Sequence, residues 1–259
     1  MNCDKGINQA VNMLKVADSI LFVTGAGISA ESGLPTYRGV GGLYNGSTTE
    51  EGIPIEMALA GQMLKTRPEV TWKYLLEVEK KCREAKFNRA HSIVAEMEAN
   101  FKRVWVLTQN IDGFHYAAGS RKVIDIHGDM SNLICTRKSC GWHKRVADYK
   151  GLELPPLCPR CRGLIRPEVV FFGEQLPVAK VNLLLRELEE GFDVCFSVGT
   201  TSVFPYIQQP VIEAKRQGRP VIEINPGETE VSRLADIKLP LGAVTALEAI
   251  WAGYQKEIG

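Results

Sequence analysis

Six short runs rich in β-branched and aromatic residues, at Ser19–Thr24, Arg103–Thr108, 122–126, 193–198, 220–224 and Ile237–Leu239, recur along the chain with longer segments of helical period between them. That alternation is the pattern of a mostly parallel sheet covered by helices. It predicts an α/β fold, a Rossmann-like parallel sheet with helices on both faces. Ile7, Val11 and Leu14 share one face of a first helix, 177–190 and 205–217 make two more, and 243–254 closes the chain. A proline opens each of the middle two, where its missing N–H costs nothing.

Two stretches break the alternation. One is a polar, Gly-rich loop and helical segment over 39–89; the other is a Cys-, Arg- and Lys-rich stretch over 129–167. Both read as insertions that build a smaller lobe, leaving 1–38, 90–128 and 168–259 as the Rossmann-like domain. A ligand is then expected in the crevice between the lobes.

The charge balance excludes one class of function. With 31 Lys and Arg against 30 Asp and Glu in 259 residues, the formal net charge is +1. No whole-molecule field draws in nucleic acid or an anionic membrane. No run approaches the ~20 apolar residues that span a bilayer, and the first residues match neither a secretory signal nor a transit peptide. A cytosolic protein is the expectation.

Four of the seven cysteines follow the spacing C-x4-C-x17-C-x2-C: Cys135, Cys140, Cys158 and Cys161. Two close pairs separated by a loop of this length predict a zinc ribbon with four thiolates around one tetrahedral ion. Such a shell is closed, so the metal is expected to hold the small lobe together and to take no part in chemistry. From Cys135 to Arg166, eight Lys and Arg stand against two acidic residues. Four thiolates and one zinc ion lower that excess to about +4, which reads as a solvated face.

The run Gly25-Ala26-Gly27-Ile28-Ser29-Ala30 follows the first strand and fits a turn that brings bare backbone up to a pyrophosphate. The acidic residue that a dehydrogenase places ~20 positions further on is missing, and the run continues instead into Pro35, Tyr37 and Arg38. Polar residues recur at the carboxyl ends of other strands: Gln109-Asn110-Ile111-Asp112, His127-Gly128, Gly199-Thr200-Thr201-Ser202 and Asn225-Pro226-Gly227. In a parallel sheet these ends face the ligand crevice. A histidine with a solution pKa near ~6.5 suits the removal of a hydroxyl proton at neutral pH. His91, His115 and His143 read as hydrogen-bonded bystanders.

These residues, with Val170-Phe171-Phe172-Gly173-Glu174, occur in the order seen in sirtuins, and the chain resembles that family over roughly residues 8 to 252. The resemblance implies an NAD-dependent protein-lysine deacylase that frees lysine, releases nicotinamide and leaves the acyl group on ADP-ribose. By the same resemblance His127 is the base, and Asn110 and Asp112 position the nicotinamide ribose and carboxamide, with Ile111 against the nicotinamide pocket. Gly25, Ala26, Gly27, Ser29, Tyr37, Arg38, Gln109, Gly199, Thr200, Ser202, Asn225, Pro226, Gly227 and Ala243 hold the rest of the dinucleotide. Val170, Phe171, Phe172 and Gly173 pair as a strand with an acyl-lysine peptide. Mono-ADP-ribosyl transfer and a non-catalytic NAD-sensing module are the rival readings.

The acyl group is a separate question. The Ala30-Glu31-Ser32-Gly33 form of the first motif resembles the subgroup that removes acidic acyl chains such as succinyl and malonyl, which uses a Tyr-x-x-Arg pair on a helix. Here a gapless alignment on Pro68 and Trp72 puts Leu75 and Val78 in those places, and a shifted one puts Tyr74 and Glu77. Neither offers a guanidinium, and a buried unpaired anion is costly, so acetyl is the expected preference. Lys80, Lys81 and Arg83 lie nearby in the sequence.

Overall fold

The computed structural model of the chain describes residues 3–36 and 49–258. Among the described residues ten helices and nine strands follow in order: α1 (Cys3–Lys15), β1 (Ser19–Thr24), α2 (Gly27–Ala30), α3 (Ile55–Ala58), α4 (Gly61–Thr66), α5 (Pro68–Glu84), α6 (Arg89–Asn100), β2 (Arg103–Thr108), α7 (Phe114–Ala117), β3 (Val123–Asp125), β4 (Gly128–Cys135), β5 (His143–Arg145), β6 (Ile165–Val169), α8 (Val178–Glu190), β7 (Val194–Val198), α9 (Pro205–Arg216), β8 (Val221–Ile224), β9 (Ile237–Leu239) and α10 (Ala243–Ile258).

The large sheet has the order β3-β2-β1-β7-β8-β9, and every pairing in it is parallel. β1 is buried from Ile20 to Thr24 because helices cover both faces, which is why its sequence reads as a continuous apolar run. On one face α1, α6 and α10 pack Ala10, Leu14, Ile93, Met97, Leu247 and Trp251 against Phe22 and Phe196, whose rings stack 4.8 Å apart. On the other, α8 and α9 cover Leu21, Val23 and Leu107 with Leu184, Leu188 and Val211. Strand order reverses direction between β1 and β7, and in open α/β sheets such a switch point is where the crevice opens.

The six strands match the runs expected from sequence, with β7 and β8 shorter by one residue at the start and β3 shorter by one at each end. Three details differ. Pro177 is the residue before α8, in an extended conformation, and does not form its first turn. Proline does open α9 at Pro205, yet the same helix also carries Pro210 in its interior. The closing helix runs four residues further than the expected end, to Ile258.

The segment around α5 packs on the segment around β4 and β6. Trp72 and Leu75 of α5 are buried with Met130 and Leu133 of β4 and Ile165 of β6, and the Trp72 Nε1–H donates to the Ile165 carbonyl at 3.1 Å. β4 pairs antiparallel with both β5 and β6 to form a three-stranded sheet. No helix among the described residues is long and apolar enough to cross a membrane.

Candidate active site

The first wall of the crevice is a close approach of two turns at the switch point. The Gly25 amide donates to the Val198 carbonyl at 3.2 Å and the Gly27 amide to the Gly199 carbonyl at 2.8 Å. A Cβ on Gly27 would lie 2.6 Å from the Gly199 Cα, and one on Gly25 would lie 2.8 Å from the Thr200 Cβ. Only glycine allows this approach. Beyond it, Thr200 ties three loops together. Its Oγ1 accepts from Gln109 Nε2 at 2.8 Å and from the Ser202 amide at 3.1 Å, and its carbonyl accepts from Asn225 Nδ2 at 3.1 Å. Asn225 Oδ1 in turn accepts from the Gly227 amide. Ser202 is buried in the left-handed region at φ 54°, and its Oγ has no hydrogen-bond partner among the described residues. An orphaned buried hydroxyl at a switch-point turn fits a dinucleotide's polar groups. Tyr37 and Arg38 lie outside the described residues.

Asn110 and Asp112 meet at Ser29. The Asn110 Nδ2 donates to the Gly25 carbonyl (3.1 Å) and to Ser29 Oγ (3.2 Å), while Ser29 Oγ donates to Asp112 Oδ2 at 2.8 Å. Burial raises the Asp112 pKa against its bonds to the Phe114 amide and Ser29. Sequence reading missed what stands behind this cluster. His91 lies 3.5 Å from Ser29 Oγ, and His115 lies 3.0 Å from Thr24 Oγ1, both buried. Both are held by these hydrogen bonds inside the core behind Ser29 and Thr24, whereas His143 is on the exposed strand β5. Burial brings the His91 pKa down to about 4 and lowers that of His115 as well.

His127 follows β3 and faces the same crevice. Its Nδ1 is 2.9 Å from the Gln109 carbonyl oxygen, and its Nε2 is 2.7 Å from the Tyr206 hydroxyl. Burial lowers its pKa most, the bond to Gln109 works against that, and Lys180 adds to the lowering. The ring is therefore neutral at neutral pH, as a base must be. Tyr206 was not foreseen; the only sequence sign is two aromatic residues, Phe204 and Tyr206, flanking the proline that opens α9.

Beside Asn110, Ile111 and Asp112 opens a cleft also lined by Ala26, Ser29, Leu34 and Pro35, and on the far side by Tyr74, Glu77, Val78, Lys81 and Cys82 of α5. Of the two expected pairings, Tyr74 and Glu77 face the cleft together, while Leu75 and Val78 are split. Leu75 points into the core beside Trp72. Tyr74, Glu77 and Val78 all face the cleft, since i, i+3 and i+4 share a helix face. One turn on, Lys81 brings in a cation without any shift of the helix. The Tyr74 hydroxyl is held by the Glu51 carboxylate and accepts from the Glu50 amide, and Lys73 clasps both glutamates.

The segment after β6 also departs from expectation. Both backbone groups of Phe172 are bonded to the Leu59–Gly61 segment, and both of Phe171 to Glu174. The Val170 amide donates to the His127 carbonyl. Strand pairing with a peptide through Phe171 and Phe172 does not fit this arrangement; the Val170 carbonyl and Gly173 remain for it. Ala243 is buried at the start of α10, where Glu31 accepts from the Val244 amide at 2.8 Å.

The four cysteines converge as their spacing predicts. Their Sγ atoms all lie within 4.8 Å of one another, with Cys135 and Cys161 at 3.5 Å and Cys140 and Cys158 at 3.7 Å. Four sulfurs at about 2.3 Å around a tetrahedral ion sit roughly 3.8 Å apart, so the set fits zinc. Amides of Arg137 and Gly163 point at Cys135 and Cys161 Sγ, both at 3.4 Å, as in a loop built to hold thiolates.

The model of the Sir2 family matches residues 25–205, which include the glycine turn, His127 and the four cysteines. The chain belongs to the Sir2 family. An NAD-dependent protein deacylase 2 of Pseudomonas aeruginosa is 47% identical over 247 residues, covering 92% of this chain and 93% of that protein. An NAD-dependent protein deacylase of Aquifex aeolicus is 37% identical, covering 93% and 97%. Among solved structures, a Sir2 homologue in complex with NAD superposes with a TM-score of 0.86 at 34% identity, over 97% of this chain and 95% of that one. A Sir2 complex with a p53 peptide and NAD+ superposes with a TM-score of 0.82 at 28% identity, over 98% and 99%. As a Sir2 protein the chain is an NAD-dependent α/β enzyme, and the four-cysteine cluster is consistent with one structural zinc.

Proposed function

We infer that this chain is an NAD-dependent protein deacylase, and that its preferred acyl group is neutral, acetyl first. The observation that carries the reading is the convergence of His127, Asn110, Asp112 and Ser29 on one crevice at the switch point, in a chain 47% identical to a deacylase over nearly its whole length. NAD is a substrate here. Gly25, Ala26, Gly27, Gly199, Thr200 and Ser202 receive its phosphates and a ribose, with Asn225, Pro226, Gly227 and Ala243 at the adenosine end. Asn110 and Asp112 orient the nicotinamide ribose and carboxamide against Ile111. An acyl-lysine enters beside Val170 and Gly173, its carbonyl oxygen attacks the anomeric carbon, and nicotinamide leaves. His127 then takes a ribose hydroxyl proton, the ribose oxygen attacks the acyl carbon, lysine departs as the protonated amine, and a water adds to the acyl carbon so that the acyl group stays on ADP-ribose as an ester.

Zinc at the four cysteines supplies structure, since four thiolates leave no position for water. Seven free cysteines suit a reducing compartment, and we place the activity in the cytoplasm.

Nicotinamide release measured with a panel of acylated peptides tests the reading. Release is expected only with NAD and an acyl peptide together, fastest with acetyl. His127→Ala should lose roughly two to four orders of magnitude in turnover with zinc content intact. A stable ADP-ribose on the acceptor peptide, seen by mass spectrometry, would instead show ADP-ribosyl transfer.

A further inference from the structure

We propose that Glu223, a carboxylate buried in the large sheet, is a positioning residue for the adenosine half of NAD, acting through Thr229 on the loop that follows β8. The inference rests on the reading that Asn225, Pro226 and Gly227 receive that half.

Glu223 stands among apolar neighbours. β8 reads Val221-Ile222-Glu223-Ile224 with all four residues buried, and Glu223 is fully so. A carboxylate inside a sheet is costly unless it is paired and hydrogen-bonded. The adjoining strands supply little of either. Its register partner in β7 is Ser197, whose buried hydroxyl has no hydrogen-bond partner among the described residues. Its register partner in β9 is Lys238, whose ammonium stands 3.9 Å from Oε2 while donating to Ser232 Oγ at 3.2 Å and pairing with Glu228. Oε2 itself accepts no hydrogen bond among the described residues. Oε1 accepts from Thr229 Oγ1, and Thr229 belongs to the loop.

Thr229 is the hub of that loop. While donating to Glu223, its Oγ1 accepts from the Val231 amide at 3.2 Å, and its own amide donates to Ser232 Oγ at 2.9 Å. The turn wound about Thr229 carries the Glu230 amide to the Thr201 carbonyl at 3.2 Å. At the start of the loop, Asn225 Nδ2 donates to the Thr200 carbonyl at 3.1 Å. Two consecutive carbonyls of the turn after β7 are thus gripped from the two ends of one loop, and the second grip depends on how Thr229 is held. Glu223 has no exposed surface with which to touch a ligand. Its effect reaches the dinucleotide through the loop, by fixing Asn225–Gly227 against the turn that carries the orphaned Ser202 hydroxyl.

Glu223→Met keeps the length of the side chain and removes the acceptor; Thr229→Val keeps the shape and removes the donor. Each is expected to weaken NAD by about ten- to hundredfold in calorimetric Kd, the range for losing a buried hydrogen bond to a charged group. ADP-ribose should weaken equally, because the adenosine half is common to both. In turnover with acetyl peptide the KM for NAD should rise in step, while kcat and the KM for peptide move less than about threefold. Glu223→Gln still offers Thr229 an oxygen and should bind NAD within about threefold of wild type. An NAD Kd unchanged in both disruptive variants would overturn the proposal. A fall in kcat as large as the rise in the KM for NAD, or a Glu223→Gln variant as impaired as Glu223→Met, would overturn it in favour of a general structural role. Should Glu223→Met fail to fold, Thr229→Val, at a half-buried position outside the sheet, decides by the same measurements. Wild-type protein that binds neither NAD nor ADP-ribose would overturn the reading beneath the proposal, and the proposal with it.

Discussion

Gly27 and Gly199 meet backbone to backbone, with the Gly27 amide donating to the Gly199 carbonyl at 2.8 Å and no room for a side chain on either. The turn after β1 and the turn after β7 are therefore one structural unit. Gly27→Ala should push them apart. Overpacking of this kind costs about 1–3 kcal/mol, so we expect a lower melting temperature and an NAD Kd raised at least tenfold by calorimetry. Gly218→Ala is the control: its φ of 68° is strained for alanine, yet nothing lies within 4 Å of the added Cβ. It should lose some stability and leave the NAD Kd unchanged.

The histidines behind the site make stability depend on pH. Burial holds the His91 pKa near 4 in the folded chain, against about 6.5 when unfolded. Between those values the unfolded chain takes up a proton that the folded chain refuses, so the stability is whole above about pH 6.5 and is lost as pH falls toward 4. His115, lowered in the same direction, adds to the slope. Thermal melts between pH 7 and 4.5 should show this decline, and His91→Gln should make it shallower by about one proton.

His127 also has its pKa lowered, so turnover should hold steady from pH 8 down to about 6.5 and fall only below that. An acid limb centred above 6.5 would contradict this.

Metal removal should act on the small lobe first. Cys158 is fully buried where the ribbon packs with α5, through Trp72 and Ile165. A chelator or Cys158→Ser is expected to release one zinc per chain and to abolish activity through loss of the α5 wall of the cleft. Zinc measured by atomic absorption alongside a melting curve would check it; an apo-protein with unchanged melting and activity would rule out the structural role.

The cleft beside Asn110, where we propose that the acyl chain lies, carries Glu77 and Lys81, four residues apart on one helix face. A succinyl carboxylate would meet both, and the Glu77 charge opposes it while Lys81 favours it. Acetyl peptide should therefore exceed succinyl peptide in kcat/KM. Glu77→Gln removes the opposing charge and should narrow the gap by roughly tenfold, within the few kcal/mol that a charged partner contributes. Val78→Arg should narrow it further.

The strands, the cysteine cluster and the glycine turn were legible in the sequence because each depends on local pattern: burial on both faces makes β1 a continuous apolar run, a zinc ribbon needs its ligands at short spacings, and a tight strand-to-helix turn needs glycine. That His127 and Asn110 come close together was legible because strand ends of a parallel sheet share one edge. What the tertiary structure decided depends on residues far apart in the chain. The orientation of α5 chose Tyr74, Glu77, Val78 and Lys81 for the cleft and sent Leu75 to the core, because a rotation of one residue, about 100°, changes every side chain a helix presents. Phe171 and Phe172 bonded to Glu174 and the Leu59–Gly61 segment instead of standing open as a strand. His91 behind Ser29 and Tyr206 on His127 join residues 62 and 79 positions apart. No local pattern records such a meeting, since it follows only from how the covering helices settle on the sheet.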